Sequence, residues 1–249
     1  MLWGRVMTSV WTARTLAVAE PQHRLYYFTK RVIDVMVSFV LLVAILPLCL
    51  VIIVAVKLET PGPALFVQSR LAGRRRKVDG DHKWFIEPFP LLKFRTMVQD
   101  ADQTVHREHI AAYISGDDQP EGSGQSTTGS SVSYKLQRDP RITRIGRLLR
   151  QTSLDELPQL LNVLRGDMSL VGPRPPLAYE VDMFRDHHMG RFAAAPGITG
   201  LAQVDGRCEL KFEEMIDRDL DYVARPSVAL DLLILLRTVP VVLSRRGAG

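Results

Sequence analysis

Between Val35 and Val56 the chain carries no charged residue over 22 positions, and Val, Leu and Ile dominate the run. At about 1.5 Å per residue, a helix of that length is long enough to cross a hydrocarbon core. Two details argue against a simple span. Pro47 sits near the middle, where it removes a backbone hydrogen bond and kinks a helix. Both flanks are basic, with Lys30 and Arg31 before and Lys57 after, whereas a single-pass segment gathers positive charge on one side. A bent helix that enters and leaves the same leaflet satisfies both observations, so a re-entrant helix-break-helix hairpin is expected over residues 29–58. The plainer alternative is an ordinary kinked transmembrane helix.

Composition narrows what surrounds this element. The 249 residues are 46% hydrophobic with a formal net charge of +5, enough for one domain with a core plus a membrane element. A basic balance favours acidic partners, which include nucleic acid, anionic lipid and phosphorylated substrates. Cys49 and Cys208 make no disulfide framework, and Cys49 lies within the apolar run, so a reducing compartment is the simpler reading. Residues 1–20 weakly resemble a signal peptide, but Arg14 breaks their apolar region; residues 1–28 are read as a loose or interfacial arm. The phosphate-loop pattern G-x-x-x-x-G-K-[ST] does not occur, and there are too few hydrophobic segments for a many-pass transferase.

After the apolar run, Glu59 to Pro63 reads as a turn and Ala64 to Gln68 as a short strand, opening a small β-hairpin. Arg70, Arg74, Arg75, Arg76 and Lys77 form a basic cluster suited to a solvated face or lipid headgroups. Lys93 and Arg95 alternate with Leu92 and Phe94 at strand spacing, so both cations should share one face fit for phosphate oxygens. Asp117 to Ser133 is rich in Gly, Ser, Thr and acid and is expected within a flexible loop, 115–133. His106 and His109, and likewise Asp186, His187 and His188, lack partners at metal-ligand spacing and are read as surface residues.

Arg141, Arg144, Arg147 and Arg150 recur every three residues, with Ile142, Ile145, Leu148 and Leu149 on another face. That is an amphipathic basic helix for a membrane interface; a nucleic-acid reading is opposed by the apolar run upstream. Tyr179 to Arg185 reads as a short helix, Pro196 to Gly200 as a tight loop, and Gln203, Asp205 and Arg207 as lying on or near a strand. Phe212, Ile216, Leu220 and Val223 mark a helix with an acidic outer face of Glu213, Glu214, Asp217 and Asp221. A last apolar helix, from Ser227 to about Arg237, suits the membrane interface because Asp231 and Arg237 interrupt it.

The chemistry concentrates between Leu148 and Pro175. Asp155 and Glu156 are adjacent carboxylates with Arg150 before them and Arg174 in a Gly-Pro turn after them. Ser153 and Glu156 fit a capping box and Pro158 a first helical turn, so the pair should sit at a helix start where free N–H groups attract phosphate. That helix would bury Leu160, Leu161 and Leu164 and end at Gly166. The bland reading is that both carboxylates only cap the helix.

The run Thr-Ser-Leu-Asp-Glu-Leu-Pro-Gln-Leu-Leu-Asn-Val-Leu-Arg-Gly-Asp-Met-Ser-Leu-Val-Gly-Pro-Arg-Pro, from Thr152 to Pro175, resembles the signature of the bacterial monotopic phosphoglycosyl transferases, or bacterial sugar transferases. The likeness extends through Lys93 to Met97, Asp139 to Thr143 and Pro196 to Val204. The resemblance implies an α+β, mostly helical monotopic membrane protein, with the same re-entrant hairpin and a cytoplasmic catalytic domain over 59–249 on a bacterial plasma membrane. Where the family usually has Ser-Pro at the bend, this chain has Leu46-Pro47. It further implies transfer of a sugar 1-phosphate from a UDP-sugar to polyprenyl (undecaprenyl) phosphate in exopolysaccharide or glycoconjugate synthesis. In that reading Asp155 is the nucleophile and Glu156 the Mg²⁺ ligand, and Lys93, Arg95, Arg150, Arg174, Gln203 and Arg207 bind substrate. Membrane lipids are partners, nucleic acid is not, and a homo-oligomer stays open. The competing class is a non-catalytic membrane adaptor of a polysaccharide assembly complex.

Overall fold

The computed structural model describes residues 14–16, 24–98, 104–115, 139, 141–206 and 210–244. Most of the arm 1–28, nearly all of loop 115–133, Arg207 and Cys208 lie outside the described residues. The architecture is mixed helix and sheet, with helix predominant.

The uncharged run forms the greater part of α1 (Arg24–Glu59), one helix of 36 residues that contains Pro47. The expected break is absent, because the helix runs on through Pro47. Proline removes one N–H, and the turns on either side are held independently by packing. Val37, Leu42 and Ile45 pack against a core that includes Leu160 and Val163. Cys49, Ile52, Ile53 and Val56 pack with Phe94, Leu149, Leu154 and Leu157. The other side of the middle turns is bare: Phe39, Val40, Leu41, Val43, Leu46, Leu48, Leu50 and Val51 are 41–65% exposed. A contiguous apolar face of this kind is suited to lipid rather than water.

Polar groups clamp both ends of α1 to the rest of the protein. Near its start, Lys30 Nζ donates to Val171 O and to Asp231 Oδ2, each at 2.9 Å. Arg31 donates to Val163 O and Leu164 O, and the buried Asp34 accepts the Leu170 N–H at 3.0 Å. At its end, Glu59 accepts the N–H groups of Arg144 and Ile145, at 2.7 and 3.1 Å. Those groups open α3 (Arg144–Thr152), where a carboxylate also meets the positive end of the helix dipole.

The hairpin is larger than expected, with β2 (Leu65–Val78) and β3 (Asp81–Phe94) of 14 residues each. The turn between them is Asp79 and Gly80. Asp79 and Gly80 both have positive φ, 55° and 91°, as tight two-residue hairpin turns require. A short strand, β1 (Arg14–Leu16), adds to the far edge in the order β1-β3-β2. Tyr27 of α1 stacks under the Arg75 guanidinium at 4.1 Å and lies 6.1 Å from the Trp84 ring, which fixes the distal half of the hairpin to the helix.

Pro88 and Pro90 lie within β3 at register positions opposite Leu71 and Ser69. Beside them the backbone groups of β3 turn away from β2, where no ladder N–H is needed. There α4 (Gln159–Arg165) supplies the partner. The fully buried Asn162 accepts the Leu92 N–H at 3.0 Å and donates to Pro90 O at 2.8 Å, reading the strand edge as another strand would. The remaining Nδ2–H reaches Asp167 Oδ2 at 3.1 Å.

The rest of the chain closes around this unit. After α2 (Thr104–Ser115) and α3, the chain passes through α4 to β4 (Ser169–Val171), which pairs in parallel with β5 (Gly197–Thr199). Between those strands lie α5 (Ala178–Val181) and a 3-10 segment (Asp186–Ala193). Gln203 and Asp205 fall on a short helix, α6 (Leu201–Asp205), rather than a strand. α7 (Phe212–Ala224) carries the expected acidic outer face but buries Asp219 and Tyr222 beside Phe212 and Ile216. α8 (Val228–Leu243) extends past Arg237, and its Leu232, Leu233, Leu236, Val239 and Leu243 are exposed. Its Asp231, read as an interruption, instead accepts from Lys30 and the Tyr222 hydroxyl and joins α8 to α1 and α7. Asn162→Ala should orphan the Leu92 N–H and the Pro90 carbonyl together, lowering stability by about 3 kcal/mol, measurable as a drop in denaturant midpoint at unchanged slope.

Candidate active site

Asp155 and Glu156 do not start an α-helix. Ser153 ends α3 in the left-handed region, φ 57° and ψ 16°, and its N–H closes onto Leu149 O and Arg150 O. A residue held there cannot also take the extended conformation of an N-cap, so the expected Ser153–Glu156 capping box does not form. The two carboxylates ride instead on a single 3-10 turn, Leu154–Glu156, with Pro158 as the N-cap of α4. The buried face of α4 is Gln159, Leu160, Asn162 and Val163, whereas Leu161 and Leu164 are only partly covered. Leu154 and Leu157 flank the carboxylates and pack against the Ile52 and Val56 cluster of α1, so the turn stands directly on the apolar helix.

Four cations from four different segments lie near enough to act on one another, and two of them, Lys93 and Arg150, feel the Asp155 charge. Lys93, at the end of β3, feels the charges of Arg70, Asp155, Arg174 and Arg150. Burial, reinforced by the repulsion of Arg70, pushes its ammonium down to about 7, with Asp155 opposing the shift. Arg150 is oriented by its Nε–H, which donates to Thr96 Oγ1 at 2.9 Å. Burial lowers its pKa while the carboxylates of Asp155 and Asp139 raise it. Arg70 donates to Pro175 O at 3.1 Å and to Gln68 Oε1 at 2.9 and 3.2 Å, with Glu180 at 3.9 Å. Arg174 leaves β4 through Gly172 and Pro173. A Cβ at Gly172 would collide with Ala195 O, so this close approach to β5 requires glycine. An excess of fixed positive charge around one carboxylate suits a polyphosphate ligand.

Arg174 has its own support. Its backbone oxygen accepts from Arg191 Nη2 at 2.9 Å, and Arg191 pairs with Asp219 of α7 at 2.6 Å. Both members of the pair are buried. Burial pushes Asp219 up to about 6, and Arg191 works against that.

Of the residues expected from sequence, Lys93 and Arg150 thus feel the Asp155 charge, and Arg174 lies near enough to act on both of them. Arg95 is instead committed to the turn after α1, donating to Pro61 O at 2.7 Å and to Thr60 O and Oγ1 at 2.8 and 2.9 Å. Gln203 donates to Ile198 O at 2.9 Å, bracing the β5 loop, and Arg207 lies outside the described residues. Sequence reasoning missed Arg70, Gln68, Arg191 and Asp219. For the first two a signal existed, since Phe66, Gln68 and Arg70 alternate at strand spacing; for the last two the chain shows none.

His187 and His188 do find a carboxylate, Glu213, at 3.3 and 3.1 Å, and His188 is buried, contrary to their reading as partnerless surface residues. They make a poor metal site nonetheless. His188 Nδ1 accepts the Arg185 N–H at 3.0 Å, which assigns the proton of the neutral ring to Nε2, the nitrogen facing Glu213. A metal would need that lone pair. The group is a clamp that caps the 3-10 segment.

The chain belongs to the bacterial sugar transferase family, whose profile matches residues 25–245. It is 40% identical over 230 residues to the UDP-glucose:undecaprenyl-phosphate glucose-1-phosphate transferase of Caulobacter vibrioides, covering 88% of this chain and 71% of that protein. It is 34% identical over 223 residues to the exopolysaccharide production protein ExoY of Sinorhizobium fredii, covering 88% of each. The undecaprenyl-phosphate galactose phosphotransferase of Salmonella typhimurium is 38% identical over 221 residues, which are 89% of this chain and 42% of that protein.

Two outcomes follow. As pH rises through about 7, Lys93 loses its charge, so kcat/KM for a phosphorylated donor should fall above that pH, and Lys93→Arg, which stays charged, should flatten the fall. Asp219→Ala leaves the Arg191 charge buried and unpaired; it should cost about 3 kcal/mol in chemical denaturation and raise the donor KM by loosening Arg174.

Proposed function

We infer that this chain is a phosphoglycosyl transferase that moves a sugar 1-phosphate from a UDP-sugar to polyprenyl phosphate, giving a polyprenyl diphosphate sugar and UMP. The observation that carries this reading is the position of Asp155, within the field of Lys93 and Arg150, on which Arg174 also acts, and on a turn seated against the apolar helix α1. The names of the Caulobacter and Salmonella relatives, a glucose and a galactose phosphate transferase, support the same substrate classes and differ in the sugar. The ExoY relative supports a place in exopolysaccharide synthesis.

The transfer proceeds in two displacements. An Asp155 carboxylate oxygen attacks the sugar-bearing phosphorus, the bond from that phosphorus to the bridging oxygen breaks, and UMP leaves with the electron pair. A phosphate oxygen of the acceptor then attacks the aspartyl phosphorus, the bond to Asp155 breaks, and the free carboxylate returns. Neither step needs a proton, so the surrounding groups have to neutralise charge and hold the reacting oxygens in line. Lys93, Arg150 and Arg174 supply that charge, and Arg70 completes the ring. The fit to Mg²⁺ rests on Glu156, whose carboxylate has no hydrogen bond or ion pair among the described residues and lies next to Asp155. Glu156 would hold the ion together with substrate phosphate oxygens, and a bound Mg²⁺ would supply further charge neutralisation.

The membrane arrangement that suits this chemistry is re-entrant, with the catalytic domain on the cytoplasmic face. A helix of 36 residues is about 54 Å long if straight, and a spanning helix puts its ends on opposite sides of the bilayer. Here Lys30, Arg31 and Asp34 at one end and Glu59 at the other bind a single domain, which supports entry and exit on one side.

The test uses purified protein in nanodiscs with Mg²⁺ and a panel of nucleotide sugars but no acceptor. UMP release should show a burst of about one equivalent with a phosphosugar mass adduct, and Asp155→Asn should abolish both and cut overall transfer on the order of a thousandfold or more. Turnover that begins only on adding polyprenyl phosphate, with no adduct, would replace the covalent route by direct transfer. Silence in both arms would favour the adaptor.

A further inference from the structure

Beside the carboxylate, one face of the hairpin changes character along its length. Phe66, Gln68 and Arg70 alternate along β2 and so share a face, and Phe66 pairs in register with Lys93 of β3. Lys93 Nζ sits 5.3 Å from the centre of the Phe66 ring. Gln68 Oε1 joins the two cations, accepting from Arg70 at 2.9 and 3.2 Å and from Lys93 at 3.4 Å. Arg70 is buried and Lys93 partly so, whereas Leu65, Phe66 and Val67 are 37–43% exposed. Only the five residues from Thr60 to Ala64 separate β2 from the end of α1. The face therefore passes from the exposed Phe66 ring to the cations Lys93 and Arg70, and Lys93 feels the Asp155 charge.

Building on the transfer reading above, we propose that this strip is the acceptor seat: the phosphate of a long-chain prenyl phosphate lies against Lys93 and Arg70, and its first isoprene units cover Phe66, leading the chain to α1. A nucleotide sugar has no hydrocarbon to place on Phe66, so the strip matches the acceptor and not the donor. The occupant carries one phosphate and one apolar tail leaving in line. Both ends of that description have a counterpart here, charge complementarity at Lys93 and Arg70 and an exposed apolar ring at Phe66.

The test is a binding titration that needs no turnover. A long-chain prenyl phosphate carrying a fluorophore at its tail end is titrated into detergent-purified protein, and isopentenyl phosphate is measured in parallel by competition. Phe66→Ser should weaken the long-chain ligand roughly tenfold, Phe66→Leu should stay near the wild type, and isopentenyl phosphate should bind all three alike. The denaturant midpoint of Phe66→Ser should match the wild type, which reports that the fold is intact. Long-chain binding undiminished in Phe66→Ser would overturn the proposal, as would equal losses for the long and short ligands. Competition by phosphatidylglycerol as strong as by the prenyl phosphate would also overturn it, since the strip would then be a general headgroup site. Wild-type protein that binds the prenyl phosphate in this Phe66-dependent way yet transfers nothing would sink the function and support the seat.

Discussion

The arrangement depends on one buried amide. Asn162 lies on a helix of only seven residues, too short to hold its place by its own hydrogen bonds. By bonding to both Leu92 and Pro90 it makes that helix an extension of the sheet edge. Lys93 follows one of those residues in β3, and the Asp155 turn precedes the helix, so the same contact sets the cation against the carboxylate. Pro90 is compatible with this because its missing donor falls where Asn162, rather than a strand, is the neighbour.

A second constraint sets the site's height relative to the apolar surface. α1 is nearly all hydrocarbon in its middle, yet its two ends bind through charge: Lys30, Arg31 and Asp34 to backbone atoms and Asp231, and Glu59 to the N-terminus of α3. Buried ionic contacts of this kind hold when every charge has a partner, and these do. Since α3 leads straight into the carboxylate turn, fastening Glu59 to its first N–H groups also fastens Asp155 beside α1. A soluble nucleotide sugar and a lipid-borne phosphate then meet at one surface with no channel needed.

Charge is distributed so that each cation has a distinct support. Arg150 leans on Thr96, Arg70 on Gln68 and Pro175, and the chain at Arg174 on the Arg191–Asp219 pair. Supports fixed in advance mean that little reorganisation is needed when a diphosphate enters, which is where electrostatic catalysis gains most.

Local sequence determined what depends on neighbours along the chain. The long uncharged run made an apolar helix, the Arg144 to Thr152 period made an amphipathic one, and the paired carboxylates with Arg150 and Arg174 marked the chemistry. It misjudged elements whose conformation is imposed from a distance. Ser153 reads as an N-cap but is driven into the left-handed region to close α3, and Pro47 reads as a break but lies in a helix held on both sides. Arg95 looks equivalent to Lys93 two residues earlier, yet the carbonyls of Thr60 and Pro61, more than thirty residues upstream, claim it. Strand alternation could have grouped Gln68 with Arg70, but tertiary structure alone brought Arg191 and Asp219 to support the site, because they pair across separate elements and no spacing along the chain encodes that pairing. Periodicity reports which face of an element is apolar; only packing decides which charged groups end up facing each other.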